Sequence, residues 1–118
     1  MQKESPKPYE DKRPWGEELW IKGQSPSMVK IITVFPDQAL SLQYHKNRDE
    51  YWYIIQGSGK AIIDSTETDL HPGVDCFISR NQKHRIVGGK EKLVLLELAF
   101  GEFDENDIVR LEDQYGRV

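Results

Sequence analysis

The sequence lacks the usual markers of secreted, membrane-bound and nucleic-acid-binding proteins. Cys76 is the only cysteine among 118 residues, which excludes an internal disulfide and a zinc site made of several cysteines. No apolar run approaches the roughly 20 residues of a membrane-spanning helix, and no apolar segment follows Met1, so we expect no secretory signal. The formal net charge is −4, without the surplus of cations typical of nucleic-acid binders. We therefore predict a cytoplasmic protein that binds neither nucleic acid nor a membrane.

The order of apolar runs and turn residues predicts one all-β domain. Residues 1–13 are polar and contain two prolines, so we expect a flexible N-terminal arm followed by a single domain over residues 14–118. Up to residue 100, short apolar or alternating runs are separated by turns, which is typical of a β-sandwich or barrel. Asp104 is a good N-cap residue and acidic residues follow it, so we expect one short helical turn that ends before Gly116.

Four polar positions on predicted strands suggest a metal site. Side chains alternate across a strand, so Gln43 and His45 should share one face of the strand over residues 39–45. A polar inner face is typical of a barrel that holds a ligand. Glu50 begins the next strand, and His84 begins a later one. Two imidazoles, a carboxylate and an amide oxygen suit a divalent metal, for which iron, zinc, manganese and nickel stay open.

The spacing of these residues resembles the two sequence motifs of the cupin superfamily. The first motif, with its pattern of glycine, two histidines, glutamate and glycine, is matched in spacing by Asp37, Gln43, His45, Glu50 and Gly57. The second motif, with glycine, proline, glycine and histidine, is matched by Gly73, Ser79, Asn81 and His84. Glutamine at the first ligand position is a feature of phosphomannose isomerases. From about residue 9 to the end, the chain resembles type II mannose-6-phosphate isomerase in residues 13–16, 40–45, 83–85 and 107–117.

This resemblance implies a fold, a cofactor and a reaction. The fold is a cupin, that is, a double-stranded β-helix or jelly-roll barrel, and the cofactor is one divalent metal ion, with zinc as the first choice. The reaction is aldose–ketose isomerisation between mannose 6-phosphate and fructose 6-phosphate. That reaction needs a proton-transfer group, for which Glu97 is the candidate, because it is an acid inside the apolar run 93–100 and burial would raise its pKa. The family usually has histidines directly after the first ligand histidine, where this chain has Lys46 and Asn47.

A phosphorylated sugar also needs cations, and the guanidinium group of arginine matches phosphate geometry. The tail that carries the resemblance points to Arg110 as the first phosphate partner, with Arg117 second and Arg85 third. Trp52 shares the strand face of Glu50, so we expect it to form a wall of the pocket.

Two other functions and one assembly are also consistent with the sequence. The same ligands could hold iron in a cupin dioxygenase, or the chain could be a non-catalytic, metal-dependent sugar-binding domain. Exposed sheet edges need cover, so we predict a homodimer in which the segment around Trp15 covers the partner or its own barrel.

Overall fold

The computed structural model describes residues 5–118, and these residues form eleven β-strands and no helix. The strands are β1 Lys7–Arg13, β2 Gly16–Lys22, β3 Met28–Val34, β4 Leu42–Tyr44, β5 Arg48–Gln56, β6 Gly59–Ile63, β7 Thr66–Leu70, β8 Asp75–Ile78, β9 His84–Gly88, β10 Leu93–Gly101 and β11 Val109–Glu112. The all-β prediction is therefore confirmed. Within the described part of the chain, no helix is long and apolar enough to cross a membrane.

Two sheets enclose the core and the site. A four-stranded sheet has the order β3-β10-β5-β8, and a five-stranded sheet has the order β11-β4-β9-β6-β7. Alternation along β10 buries Leu93, Leu95 and Glu97 while the residues between them are only half-buried, as expected for a strand with one face inward. The core contains residues of both sheets, such as Ile54 from β5 and Ile86 from β9.

The first two strands form a separate hairpin that pairs with neither large sheet. Each residue from Lys7 to Arg13 lies opposite a residue of β2, and the ring of Tyr9 stacks on that of Trp20. Residues 7–13 therefore form a β-strand that their polar composition does not reveal, because the order comes from cross-strand pairing; the flexible arm over residues 1–13 stays a prediction. Residues 1–4 of the predicted arm lie outside the described residues, and the unit over residues 14–118 stays a prediction.

The predicted helical turn after Asp104 is wrong. The carbonyl and carboxylate of Asp104 accept hydrogen bonds from the backbone N–H groups of Asp107 and Asn106, both over 2.9 Å. These bonds make one tight turn rather than the start of a helix. The chain then continues as β11, where Val109 and Arg110 pair with β4, so sheet pairing overrides the local N-cap pattern.

Candidate metal centre and anion pocket

Three buried side chains converge between the two sheets. His45, Glu50 and His84 are 4%, 2% and 2% exposed, and each offers a ligand atom within 4.8 Å of those of the other two. Glu50 Oε2 lies 3.5 Å from His45 Nε2, and Glu50 Oε1 lies 3.3 Å from His84 Nε2. His45 directly follows β4, while Glu50 and His84 point inward from β5 and β9. The structure therefore brings together three of the four side chains that the sequence selected as metal ligands.

Backbone carbonyls orient both imidazoles toward this point. His45 Nδ1 donates to the carbonyl of Asp107 over 2.6 Å, and His84 Nδ1 donates to that of Gln82 over 2.8 Å. Because a carbonyl can only accept, each Nδ1 carries a proton, so in the neutral form of each ring Nε2 has the free lone pair. Two Nε2 lone pairs and the Glu50 carboxylate then face one another. Such a set of acceptors needs a cation between them, so these residues fit a divalent metal.

Asp107 fixes the loop that carries His45, a role that the sequence analysis missed. Its carboxylate accepts hydrogen bonds from the backbone N–H groups of Lys46 and Asn47, each over 2.9 Å. These bonds hold the pKa of Asp107 below its usual value, although burial acts in the opposite direction. The segment over residues 107–110, which carries part of the family resemblance, was the available signal for this contact.

Gln43 lies beside His84 in the sheet. The two residues pair across β4 and β9, and Gln43 also lines the pocket that contains the three ligands. Its Nε2 donates to the carbonyl of Ser41 over 3.4 Å, which leaves Oε1 as an acceptor. The role of Gln43 as a fourth ligand stays a prediction.

The electrostatics of His45 and Glu50 favour the protonation states that bind metal. Burial lowers the pKa of His45 below 6.5, although the negative charge of Glu50 opposes this shift. Burial would raise the pKa of Glu50, but its close contact with His84 and the nearby His45 and Arg48 outweigh burial and lower that pKa overall. At neutral pH, His45 is thus a neutral imidazole and Glu50 a carboxylate, which are the forms that coordinate metals.

His45, Glu50 and His84 lie in a cavity of about 580 Å³ that several cationic side chains line. Five cationic side chains line it against three acidic ones; the cations are Lys30, Arg48, Arg85, Arg110 and Arg117, and the acids are Glu50, Glu97 and Glu105. This volume lies within the roughly 300–1,000 Å³ of small-molecule sites. The wall therefore carries two more cations than acids, although two of its arginines, Arg85 and Arg117, also pair with acids outside the wall.

The three arginines selected from the sequence all line this cavity, but their partners differ. Arg117 makes two hydrogen bonds to Asp113, of 2.6 and 3.0 Å. Arg85 donates to the carbonyl of Leu40 over 3.1 Å and to Glu112 over 3.3 Å. Arg110 differs from both, since its buried Nε has no hydrogen-bond partner among the described residues. Arg110 is therefore the arginine with an unused buried donor at the site.

Trp52 and Glu97 both line the cavity, where the sequence predicted Trp52 as a wall. Trp52 Nε1 donates to Glu97 Oε1 over 2.9 Å, and Lys30 Nζ lies 3.7 Å from Glu97 Oε2. Both Trp52 and Glu97 are buried. Burial and the charge of Glu50 raise the pKa of Glu97, which suits a group that transfers protons near neutral pH. Its catalytic role stays a prediction.

Comparison with known proteins covers most of the chain. The family model described as "Mannose-6-phosphate isomerase C-terminal" matches residues 2–113. The mannose-1-phosphate guanylyltransferase of Escherichia coli is 37% identical over 90% of this chain and 23% of its own length. The alginate biosynthesis protein AlgA of Pseudomonas aeruginosa is 36% identical over 90% of this chain and 22% of its own length. The chain thus spans under a quarter of the length of these relatives.

Solved structures confirm the cupin fold. A cupin protein from Bacteroides fragilis superposes with a TM-score of 0.60 at 19% identity, over 71% of this chain and 76% of that one. The 4-keto-6-deoxy sugar epimerase NovW of Streptomyces spheroides superposes with a TM-score of 0.69 at 10% identity, over 87% of this chain and 65% of that one. At these identities, the likeness concerns the fold alone.

The relatives correct the predicted reaction. They are named for guanylyl transfer to mannose 1-phosphate, or for alginate or xanthan biosynthesis, so the prediction of a hexose 6-phosphate isomerase is wrong. The dioxygenase does not match these names either. Motif spacing identified the fold and a set of candidate ligands, but one fold with one set of ligands can host many reactions.

Proposed function

We propose a function from the premise that the chain belongs to the family described as mannose-6-phosphate isomerase C-terminal, whose model matches residues 2–113. Its pocket binds mannose 1-phosphate at a divalent metal ion, as part of an enzyme that transfers a guanylyl group to this sugar phosphate. The chain spans 23% of the Escherichia coli relative, so the pocket accounts for binding of the sugar phosphate and not for the whole activity. The proposed compartment is the cytoplasm, in keeping with the free thiol of Cys76.

The observation that supports this proposal is the excess of cations around the metal-ligand set. A chain with a formal net charge of −4 repels a sugar phosphate at long range, so local cations must overcome that repulsion. Five cationic side chains line the cavity, and among the described residues Arg110 is the one of them that has no carboxylate partner. A neutral sugar or molecular oxygen would need no such surplus.

Each part of the pocket has a distinct task in this proposal. A divalent ion on His45, Glu50 and His84, with zinc as the first choice, would supply a Lewis acid for a sugar or phosphate oxygen. Arg110 lies opposite Gln43 across β11 and β4, so its side chain reaches the same cavity beside the metal ligands. A phosphate oxygen there would give the buried Arg110 Nε the acceptor that it lacks. Glu97 holds or releases a proton.

Replacing Arg110 with methionine tests the phosphate part of the proposal. We expect the variant to bind mannose 1-phosphate tenfold to hundredfold more weakly, because a hydrogen bond to a charged group contributes about 1.5–3 kcal/mol. Titration calorimetry on the metal-loaded protein measures this affinity. Arg13→Met is the matched control, since Arg13 pairs with Asp11 on the exposed hairpin and its loss should leave the affinity unchanged. Unchanged binding in Arg110→Met would remove Arg110 from the site, and no binding by the unmodified protein would refute the proposed function.

We also propose that two copies of the chain pair through the outer face of the four-stranded sheet. On that face, Val29 and Ile31 are each 60% exposed, and they lie opposite Leu98 and Leu96 of β10. An apolar face with little charge can meet its own copy across a two-fold axis without repulsion. The four strands have 7, 9, 9 and 4 residues, which at a rise of about 3.3 Å and a spacing of about 4.8 Å cover about 460 Å². A stable interface needs about 800 Å² per partner, and the hairpin, with exposed Trp20, would supply the rest.

Replacing Ile31 with glutamate tests this dimer. A buried carboxylate would meet its symmetry mate in the interface, so we expect the variant to be a monomer at concentrations where the unmodified chain is a dimer. Light scattering coupled to size-exclusion chromatography measures the mass. Thr66→Glu places the same charge on an exposed position of β7 in the other sheet and should leave the dimer intact. A monomeric unmodified chain at micromolar concentration would contradict the proposal.

A further inference from the structure

A buried arginine contacts two of the three side chains that we assign to the metal. Arg48 is only 6% exposed. Its Nε donates to Glu50 Oε2 over 3.1 Å, and its Nη2 lies 3.4 Å from His45 Nε2. Both contacted atoms are acceptors that a metal ion would use. Arg48 and a divalent cation therefore compete for the same carboxylate, and their like charges repel each other at short range.

The remaining contacts of Arg48 keep its guanidinium at the cavity wall without giving it another anion. Nη1 donates to the carbonyl of Asp104 over 3.1 Å, and the guanidinium carbon lies 4.8 Å from the ring centroid of Phe103. Within residues 5–118, Glu50 is the only carboxylate within ion-pair distance of Arg48. A phosphate dianion in the cavity would offer this guanidinium a more highly charged partner with matching geometry.

We propose that Arg48 couples the binding of the metal ion to the binding of the sugar phosphate. When the pocket holds no anion, Arg48 engages Glu50 and weakens metal binding. When a phosphate binds, it draws the guanidinium away from Glu50 and leaves both oxygens of that carboxylate to the metal. By thermodynamic linkage, the metal then raises the affinity for the phosphate by the same factor. This inference rests on the proposed function, because it takes the metal ligands and the anionic ligand from it.

The test measures metal affinity with and without the anion. Chelator-treated protein is titrated with Mn²⁺ at pH 8, and the electron paramagnetic resonance signal of free Mn²⁺ reports binding without any assay of activity. For the unmodified chain, we expect saturating mannose 1-phosphate to tighten Mn²⁺ binding about tenfold, within the roughly 5- to 150-fold range of typical couplings. For Arg48→Met, we expect Mn²⁺ binding about tenfold tighter than in the unmodified chain before any sugar phosphate is added, since the competing charge is gone. Adding mannose 1-phosphate should then change the affinity of this variant less than twofold.

Arg80→Met is the matched control, because it also removes an arginine charge, from the turn that follows β8, the strand next to β5. Arg80 Nε lies 3.7 Å from Asp49 Oδ1, and Arg80 is not part of the cavity wall. This variant should bind Mn²⁺ and respond to mannose 1-phosphate as the unmodified chain does. The inference is overturned if Arg48→Met binds Mn²⁺ no more tightly than the unmodified chain, or if it keeps the tenfold coupling. An unmodified chain that binds Mn²⁺ and mannose 1-phosphate independently overturns this inference alone, whereas one that binds neither overturns the proposed function as well.

Discussion

Replacing His84 with alanine is expected to abolish stoichiometric metal binding. The imidazole is buried, its Nδ1 is held by the carbonyl of Gln82, and its Nε2 lies 3.3 Å from Glu50 Oε1. Loss of a residue that merely orients a ligand already costs about tenfold to hundredfold in metal affinity. Loss of a ligand itself should exceed that, so we expect a decrease of more than a hundredfold. Elemental analysis of dialysed protein and a titration with Zn²⁺ measure the effect.

His71→Ala is the matched control for this experiment. His71 is exposed in the turn before Gly73, and its Nδ1 lies 3.2 Å from the carbonyl oxygen of the next residue. Its loss should leave the metal content unchanged. Full metal content in His84→Ala, or an equal loss in both variants, would show that His84 is not a ligand.

Replacing Gly57 with alanine is expected to cause the largest loss of stability. Gly57 has φ +91°, and an added Cβ would lie 1.9 Å from the carbonyl oxygen of Lys92. That neighbour is backbone at the start of β10, so it cannot turn aside as a flexible side chain could. Backbone strain of about 1–3 kcal/mol and overpacking of about 1–3 kcal/mol together predict a loss of about 4 kcal/mol. Urea denaturation measures the free energy of unfolding.

Gly73→Ala separates the two contributions to this loss. Gly73 has φ +93°, almost the same as Gly57, but an added Cβ there would meet nothing within 4 Å. This variant should show the strain alone, about 1–3 kcal/mol. Equal losses in the two variants would contradict the steric part of the prediction.

The sequence predicted the strands and the convergence of His45, Glu50 and His84, because strand alternation and motif spacing are properties of the chain itself. It did not reveal Arg48. An arginine two residues before a glutamate is usually a solvated partner, and only the closed barrel shows that this one is buried against the ligand set. Arg48 and Glu50 are two positions apart on β5, and this spacing was the available signal, since it places both side chains on the same face of the strand.

Pairing between distant segments explains the two places where the structure differs from the secondary structure predicted from the sequence. Residues 7–13 look disordered by composition, but they are ordered by β2. Asp104 begins a helix-like pattern, but the segment after it is held by the contact of Asp107 with Lys46 and by the pairing of Arg110 with Gln43. Local propensity is a weak guide wherever such tertiary contacts exist.

The reaction is the part that the sequence could not supply. A set of two histidines and one carboxylate describes how a metal is held, and the same set serves hydrolysis, isomerisation and oxidation alike. The cationic wall of the cavity favours an anion as the ligand. The sequence alone could not reveal this wall, because its side chains come from four different strands and from Arg117 in the tail. We propose mannose 1-phosphate as this anion because relatives of the chain are named for guanylyl transfer to that sugar phosphate.

The central claim is that one divalent metal ion is held by His45, Glu50 and His84. Anomalous scattering from crystals of the zinc-loaded protein, collected on both sides of the zinc absorption edge, tests it most directly. We expect one strong peak about 2.0–2.3 Å from His45 Nε2, His84 Nε2 and an oxygen of Glu50. A zinc peak held elsewhere, with these three side chains left without an ion, would contradict the assignment of the metal centre.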